Sequence, residues 1–145
     1  MISCLKELGV YVRGVDNSLA AFSNIPENVK FDVTIASVTQ PLDLGRFDLV
    51  LSTEVAEHIG KRDSAGLVRN LTRNATCGIF FTAAAPGQGG DGHINCQPKS
   101  YWVELFGANG WCVSETLQNK VLQAIQQRPR INALLPCEFD RFGTM

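Results

Sequence analysis

The chain has little that would direct it to a membrane, a nucleic acid or an oxidising compartment. No apolar run approaches the roughly 20 residues that span a bilayer, and the opening MISCLKELGV lacks the apolar stretch of a secretory signal. Net charge is only -1 over 145 residues, so no global basic field attracts nucleic acid. Basic side chains do gather at Lys61, Arg62, Arg69 and Arg73 and at Arg128 and Arg130. They read as solvated helix faces, with a nucleic-acid patch as the alternative. The five cysteines (Cys4, Cys77, Cys96, Cys112, Cys137) are odd in number, widely spaced and form no C-x-x-C. This argues against disulfides or a thiolate zinc site and predicts reduced thiols in a cytoplasmic setting. Repeats, linkers and low-complexity segments are also missing. What remains, 45% apolar and 19% charged residues, is the composition of an ordinary globular protein, read as one domain over 1–145 with enough chain for a core.

Along the chain, strand patterns alternate with helix patterns. Residues 3–9 read as a helix stopped by Gly9, and 10–16 (VYVRGVD) as a strand ending in an acid. A short helix over 18–24 takes Asn17 or Ser18 as its cap. A strand over 31–38 is followed by a turn around Pro41 and Gly45. The near-continuous apolar run 47–53 (FDLVLST) is that of a strand covered on both faces. A helix over 63–75, a strand over 77–84 and a glycine-rich loop over 86–97 come next. Pro98 opens a helix that Gly110 stops. Residues 111–117 read as a strand, 118–127 as a helix, and 131–139 as a last edge strand, where Pro136 is tolerated.

This alternation predicts an α/β fold with a parallel sheet. Ligands in such sheets bind beyond the carboxyl ends of the strands. The polar residues at those ends are Asp16, Ser37, then Ser52, Thr53 and Glu54, and the loop after Ala85.

Four segments in order, GVYVRGVDNS, PLDLGRFDLVLSTEVAEHI, GIFFTAAAP and GHINCQPKSYWVELFGANGW, resemble the Rossmann-like S-adenosylmethionine-dependent methyltransferases over about residues 3–117. The FDLVLSTEVAEHI block is the most specific of them. The resemblance implies a three-layer sandwich around a mostly parallel sheet, and S-adenosylmethionine as cofactor. It implies that Asp16 accepts the two ribose hydroxyls, a task suited to the two oxygens of a carboxylate. The alternative for Asp16 is a turn or helix cap. Ser52, Thr53 and Glu54 would line the cofactor cleft, and Ser37 matches the region that recognises the adenine amine. The family's first strand and its acidic, glycine-rich turn have no counterpart here, since MISCLKELG corresponds to the helix after that turn. The expectation is therefore a sheet lacking its first central strand, between those at 10–15 and 47–53. The alternatives that follow are an N-terminally truncated enzyme, a second copy filling the gap as a homodimer, or an inactive domain.

Glu54, Glu57 and His58 stand at i, i+3 and i+4, one face if the segment is helical. His93, the only other histidine, lies in the loop over the same end of the sheet. The set Glu54, Glu57, His58 and His93 resembles the metal site of small-RNA 3′-end 2′-O-methyltransferases, and two carboxylates with imidazole suit Mg2+ or another divalent cation. The alternatives are first-turn acids stabilised by the helix dipole, with His58 and His93 acting on the acceptor as catalytic general base or binding residue. Residues 87–92 match G-x-G-x-x-G, but the next helix opens only near Pro98, so a substrate-side lid fits better than a dinucleotide fingerprint. Tyr101, Trp102, Phe106 and Trp111 read as core, with a base-stacking platform as alternative.

The sequence thus predicts methyl transfer to an oxygen or nitrogen of a small-molecule or sugar-like acceptor. Metal-assisted 2′-O-methylation of an RNA end is the second reading, and a silent dimerising domain the third.

Overall fold

The computed structural model describes residues 2–126. The expected strand over 131–139, with Arg128, Arg130 and Cys137, lies outside them.

The first helix, α1 (Ile2–Glu7), ends where Gly9 predicts. Gly9 takes φ 79, its N–H donates to Lys6 O at 2.9 Å, and the Val10 N–H reaches Leu5 O at 3.0 Å. That pair of bonds satisfies the last helical carbonyls and needs the left-handed conformation that glycine adopts freely. Strand β1 (Gly14–Asp16) and strand β2 (Val33–Ile35) pair in parallel, with Val15 opposite Thr34. Between them runs α2 (Leu19–Phe22), capped by Ser18, whose Oγ accepts from the Ala21 N–H at 3.1 Å. Both strands are shorter than their sequence alternation suggests. Residues Glu27–Asp32 wind into a 3-10 helix instead, leaving Phe31 91% exposed.

The second pair is β3 (Phe47–Thr53) with β4 (Ala75–Thr82), also parallel, with Leu51 opposite Phe80 and Thr53 opposite Thr82. A parallel pair needs a crossover, and α3 (Ser64–Asn74) supplies it. Among the described residues the fold is thus mixed α/β with two parallel sheets of two strands each. Ahead of β1, Tyr11 stacks on Phe47 at the start of β3 with ring centroids 6.0 Å apart and planes within 6°.

The core lies between β4, α3 and α4 (Lys99–Gly107). Leu67 and Val68 face Ile79 and Phe81, and Phe81 meets Trp102 at 5.1 Å and Phe106 at 5.2 Å between ring centroids. Trp102 and Phe106 stand one helical turn apart and are fully buried, so the aromatic row is core. Tyr101 and Trp111 pack on its margin. Buried aromatics at this geometry contribute roughly 0.5–1.5 kcal/mol per pair beyond their area.

Segment 38–44 crosses α3 with its backbone groups satisfied by two buried asparagines. Asn70 Nδ2 donates to the carbonyls of Val38 at 2.7 Å and Gln40 at 2.6 Å, and its Oδ1 accepts from the Leu42 N–H at 3.1 Å. Asn74 accepts from the Leu44 N–H at 3.0 Å and donates to Leu42 O at 3.1 Å.

One element differs in kind from the sequence expectation. Residues 111–114 form no strand, and α5 (Glu115–Gln126) begins within the expected strand 111–117. The alternation of Trp111 and Val113 reflects packing on the core from a coil rather than a ladder.

Candidate functional site

After β3 the chain turns at once instead of entering a long helix. Glu54 takes φ 53, the one positive φ outside glycine among the described residues. It is clasped by Thr82 at the end of β4: the Glu54 N–H donates to Thr82 O at 3.2 Å, and Thr82 Oγ1 donates to Glu54 Oε1 at 2.8 Å. Residues Ala56–His58 then form a 3-10 turn, and a second, Lys61–Asp63, leads into α3. The single helical face expected for Glu54, Glu57 and His58 is therefore not formed. Glu54 points to solvent, while the turn carries Glu57 inward to full burial.

Neither carboxylate oxygen of Glu57 has a well-formed hydrogen bond among the described residues, although its own main chain and the Glu54 carboxyl lie close enough to act on it. An ionised carboxylate in that state is costly, and a buried unpaired one calls for a proton or a cation. Burial raises the Glu57 pKa from its ordinary 4.5. The main-chain hydrogen bond at Glu57 opposes the rise, Glu54 adds to it, and the His58 charge lowers it. One ligand atom each from Glu57, His58 and His93 lies within 4.8 Å of the others. The two imidazoles meet edge to face, 5.0 Å between centroids.

The glycine loop holds this group together. The Ile94 and Asn95 N–H groups both donate to Glu57 O, at 2.9 and 3.0 Å. The buried Asn95 side chain donates to Ser64 Oγ at 3.0 Å and Ala56 O at 3.3 Å. His58 Nδ1 lies 3.1 Å from Gly92 O and His93 Nδ1 lies 3.4 Å from Gln88 O. A carbonyl only accepts, so Nδ1 is the donor in each of these contacts, and in the neutral form of either ring Nε2 is left to bind a cation. Two nitrogen donors and one carboxylate form a divalent-cation set, and second-sphere carbonyls of this kind commonly orient metal-binding histidines.

The residues expected at a cofactor fare unevenly. Ser52 Oγ, near the end of β3, is buried without a hydrogen-bond partner among the described residues. Thr53 sits in register with Thr82. Asp16 ends β1, and its Oδ1 accepts from the Ser18 N–H at 2.8 Å, so its turn-forming role is real. The Ser37 hydroxyl is bonded locally to Thr39 Oγ1 at 2.9 Å. Of the four residues expected at the cation, three bring ligand atoms together, while Glu54 is held in the Thr82 clasp, close enough to Glu57 to raise its pKa. Thr82 and Asn95 escaped the sequence reading. For Thr82 no local signal exists, because its role depends on the β3–β4 register. For Asn95 the adjoining His93 was the available pointer.

A surface groove of about 460 Å³ lies over α3, lined by Thr39, Gly66, Arg69 and Arg73 among others. It shares no residue with the Glu57 group, and its Arg73 already pairs with Asp43 at 3.3 Å. Among the described residues no helix is long and apolar enough to cross a membrane, and Cys4, Cys77, Cys96 and Cys112 are free thiols.

Compared with protein-family models and with curated proteins, the chain gives no match.

Proposed function

We propose that this chain is a methyltransferase-like domain that transfers a methyl group from S-adenosylmethionine to a hydroxyl oxygen of a sugar-like acceptor, with a divalent cation at Glu57, His58 and His93. The observation that carries the reading is the fully buried Glu57 carboxylate, with one ligand atom each of Glu57, His58 and His93 converging within 4.8 Å. The sequence resemblance supplies the reaction class. The two parallel sheets would be halves of one Rossmann-like three-layer arrangement.

Methyl transfer is an in-line displacement in which the acceptor oxygen bonds to the methyl carbon as its bond to the donor sulfur breaks. S-adenosylhomocysteine leaves and the hydroxyl proton passes to water, so the protein's task is to align donor and acceptor. A bound cation would lower the pKa of a coordinated hydroxyl and orient its oxygen. Glu57 would offer that cation its carboxylate charge, and the cation would oppose the rise in its pKa that burial causes. His58 and His93 offer nitrogen donors, which favour Mn2+, Fe2+, Co2+ or Zn2+ over Mg2+, an ion that prefers oxygen. On the donor side, Ser52 contributes its unsatisfied hydroxyl, and Asp16 the carboxylate oxygen not engaged by the Ser18 N–H.

Calorimetric titration with S-adenosylhomocysteine in the presence of Mn2+ tests the reading. Heat of binding is expected, and none at millimolar ligand sinks the methyltransferase assignment. Methylation of free sugar-like hydroxyls, compared with RNA ends and repeated with chelator, then identifies the acceptor.

A further inference from the structure

We infer that Gly90 is a positioning residue, whose missing side chain makes the seat in which the His93 imidazole is held against Glu57 and His58. The inference rests on the cation site proposed above and adds to it the part of the chain that sets its geometry.

A methyl group placed on Gly90 would fall inside contact distance of Cε1, Nε2 and Nδ1 of His93, so the ring lies directly over the bare Cα. No rotation about the first side-chain bond of an alanine relieves that overlap, because Cβ itself is the clashing atom. The same short segment supplies the carbonyls of Gln88 and Gly92 to the two Nδ1 atoms. Its exit is fixed to the acidic turn by the two hydrogen bonds on Glu57 O. Loop and turn therefore form one hydrogen-bonded unit, within which His93 is placed by Gly90 and its proton by Gln88. Gly89, by contrast, has open space where a Cβ would go and no positive φ. The two adjacent glycines thus have different duties, and a formal G-x-G-x-x-G match conceals the difference.

The experiment compares wild type, Gly90→Ala and Gly89→Ala in the full chain by two readouts. The first is Co2+ binding followed by visible absorption. Gly90→Ala is expected to lose about 10–100-fold in affinity, the usual size of a second-sphere effect on a metal site, with an altered spectrum, while Gly89→Ala matches wild type. The second readout is the imidazole nitrogen resonances of the metal-free protein. Gly90→Ala should shift those of His93 away from the Nδ1-protonated form and leave those of His58, which also report that the fold is intact. Adding Gly90→Ala to His93→Ala should cost no further affinity, because the glycine acts only through that ring. Wild-type Co2+ affinity and spectrum in Gly90→Ala overturn the inference. Failure of wild type to bind Co2+ overturns the cation site instead, and the His93 resonances then still decide whether Gly90 seats the ring. Unchanged His93 resonances in Gly90→Ala overturn that too.

Discussion

His58 and His93 stand edge to face, 5.0 Å between ring centroids and 76° between planes, though 34 residues separate the first from the Gly92 carbonyl that holds it. The pairing brings the turn after β3 and the loop after β4 over a single buried carboxylate, Glu57. Such a group has two satisfied states. In one Glu57 holds a proton, and in the other it is ionised against a cation.

The first state makes a pH prediction. A carboxyl whose folded pKa lies above its ordinary 4.5 contributes stability that is full below that value and lost as pH rises through the folded one. Glu57→Gln keeps the neutral shape at every pH. In chelator-treated protein, the stability of Glu57→Gln relative to wild type should therefore be greater at pH 8 than at pH 4. Urea midpoints at the two pH values measure this, and a pH-independent difference contradicts it.

The turn itself makes another. Glu54 at φ 53 is in a region that disfavours a side chain by roughly 1–2 kcal/mol. Glu54→Gly relieves that and loses the Thr82 hydrogen bond, so its midpoint should fall close to wild type. Glu54→Val adds β-branching where none is tolerated and should be less stable than Glu54→Gly by at least about 1 kcal/mol. Equal midpoints for the two variants would show that the turn has relaxed.

Asn70 carries the third. Replacing it by alanine strands two carbonyls and one N–H of segment 38–44. An unmet buried group costs about 1–3 kcal/mol, and rearranged water offsets part of it, so Asn70→Ala should lose roughly 2–4 kcal/mol. Arg69→Ala, one residue away on the exposed face, should lose less than about 0.5 kcal/mol. Chemical denaturation of the pair distinguishes the hydrogen-bonded role from a general helix effect.

These residues also show what can be read from sequence. The stripe of Leu67, Val68 and Leu71 on α3 and the stops at Gly9 and Gly110 are local patterns that the structure follows. The apolar run of β3 forms its strand but is not covered on both faces, since Leu49 is 54% exposed. The turn at Glu54 is not local, because its conformation is held by Thr82, 28 residues later. For the same reason Glu57 could be placed near a histidine by motif, but not known to be buried. Trp111 and Val113 misled, since burial on alternate residues is a property of a surface and a coil can supply it as well as a strand. Asn70 and Asn74 stand one turn apart beside the apolar stripe and are buried. Two asparagines in that place are a readable sign that a neighbouring backbone needs partners.

The most direct measurement is titration of chelator-treated protein with Co2+, followed by heat and by visible absorption. The account predicts one ion per chain, nitrogen- and oxygen-ligated spectral bands, weak competition by Mg2+, and loss of binding in Glu57→Ala and His93→Ala. Absence of heat and of any spectral change at millimolar Co2+, or unaltered binding in both variants, would contradict it.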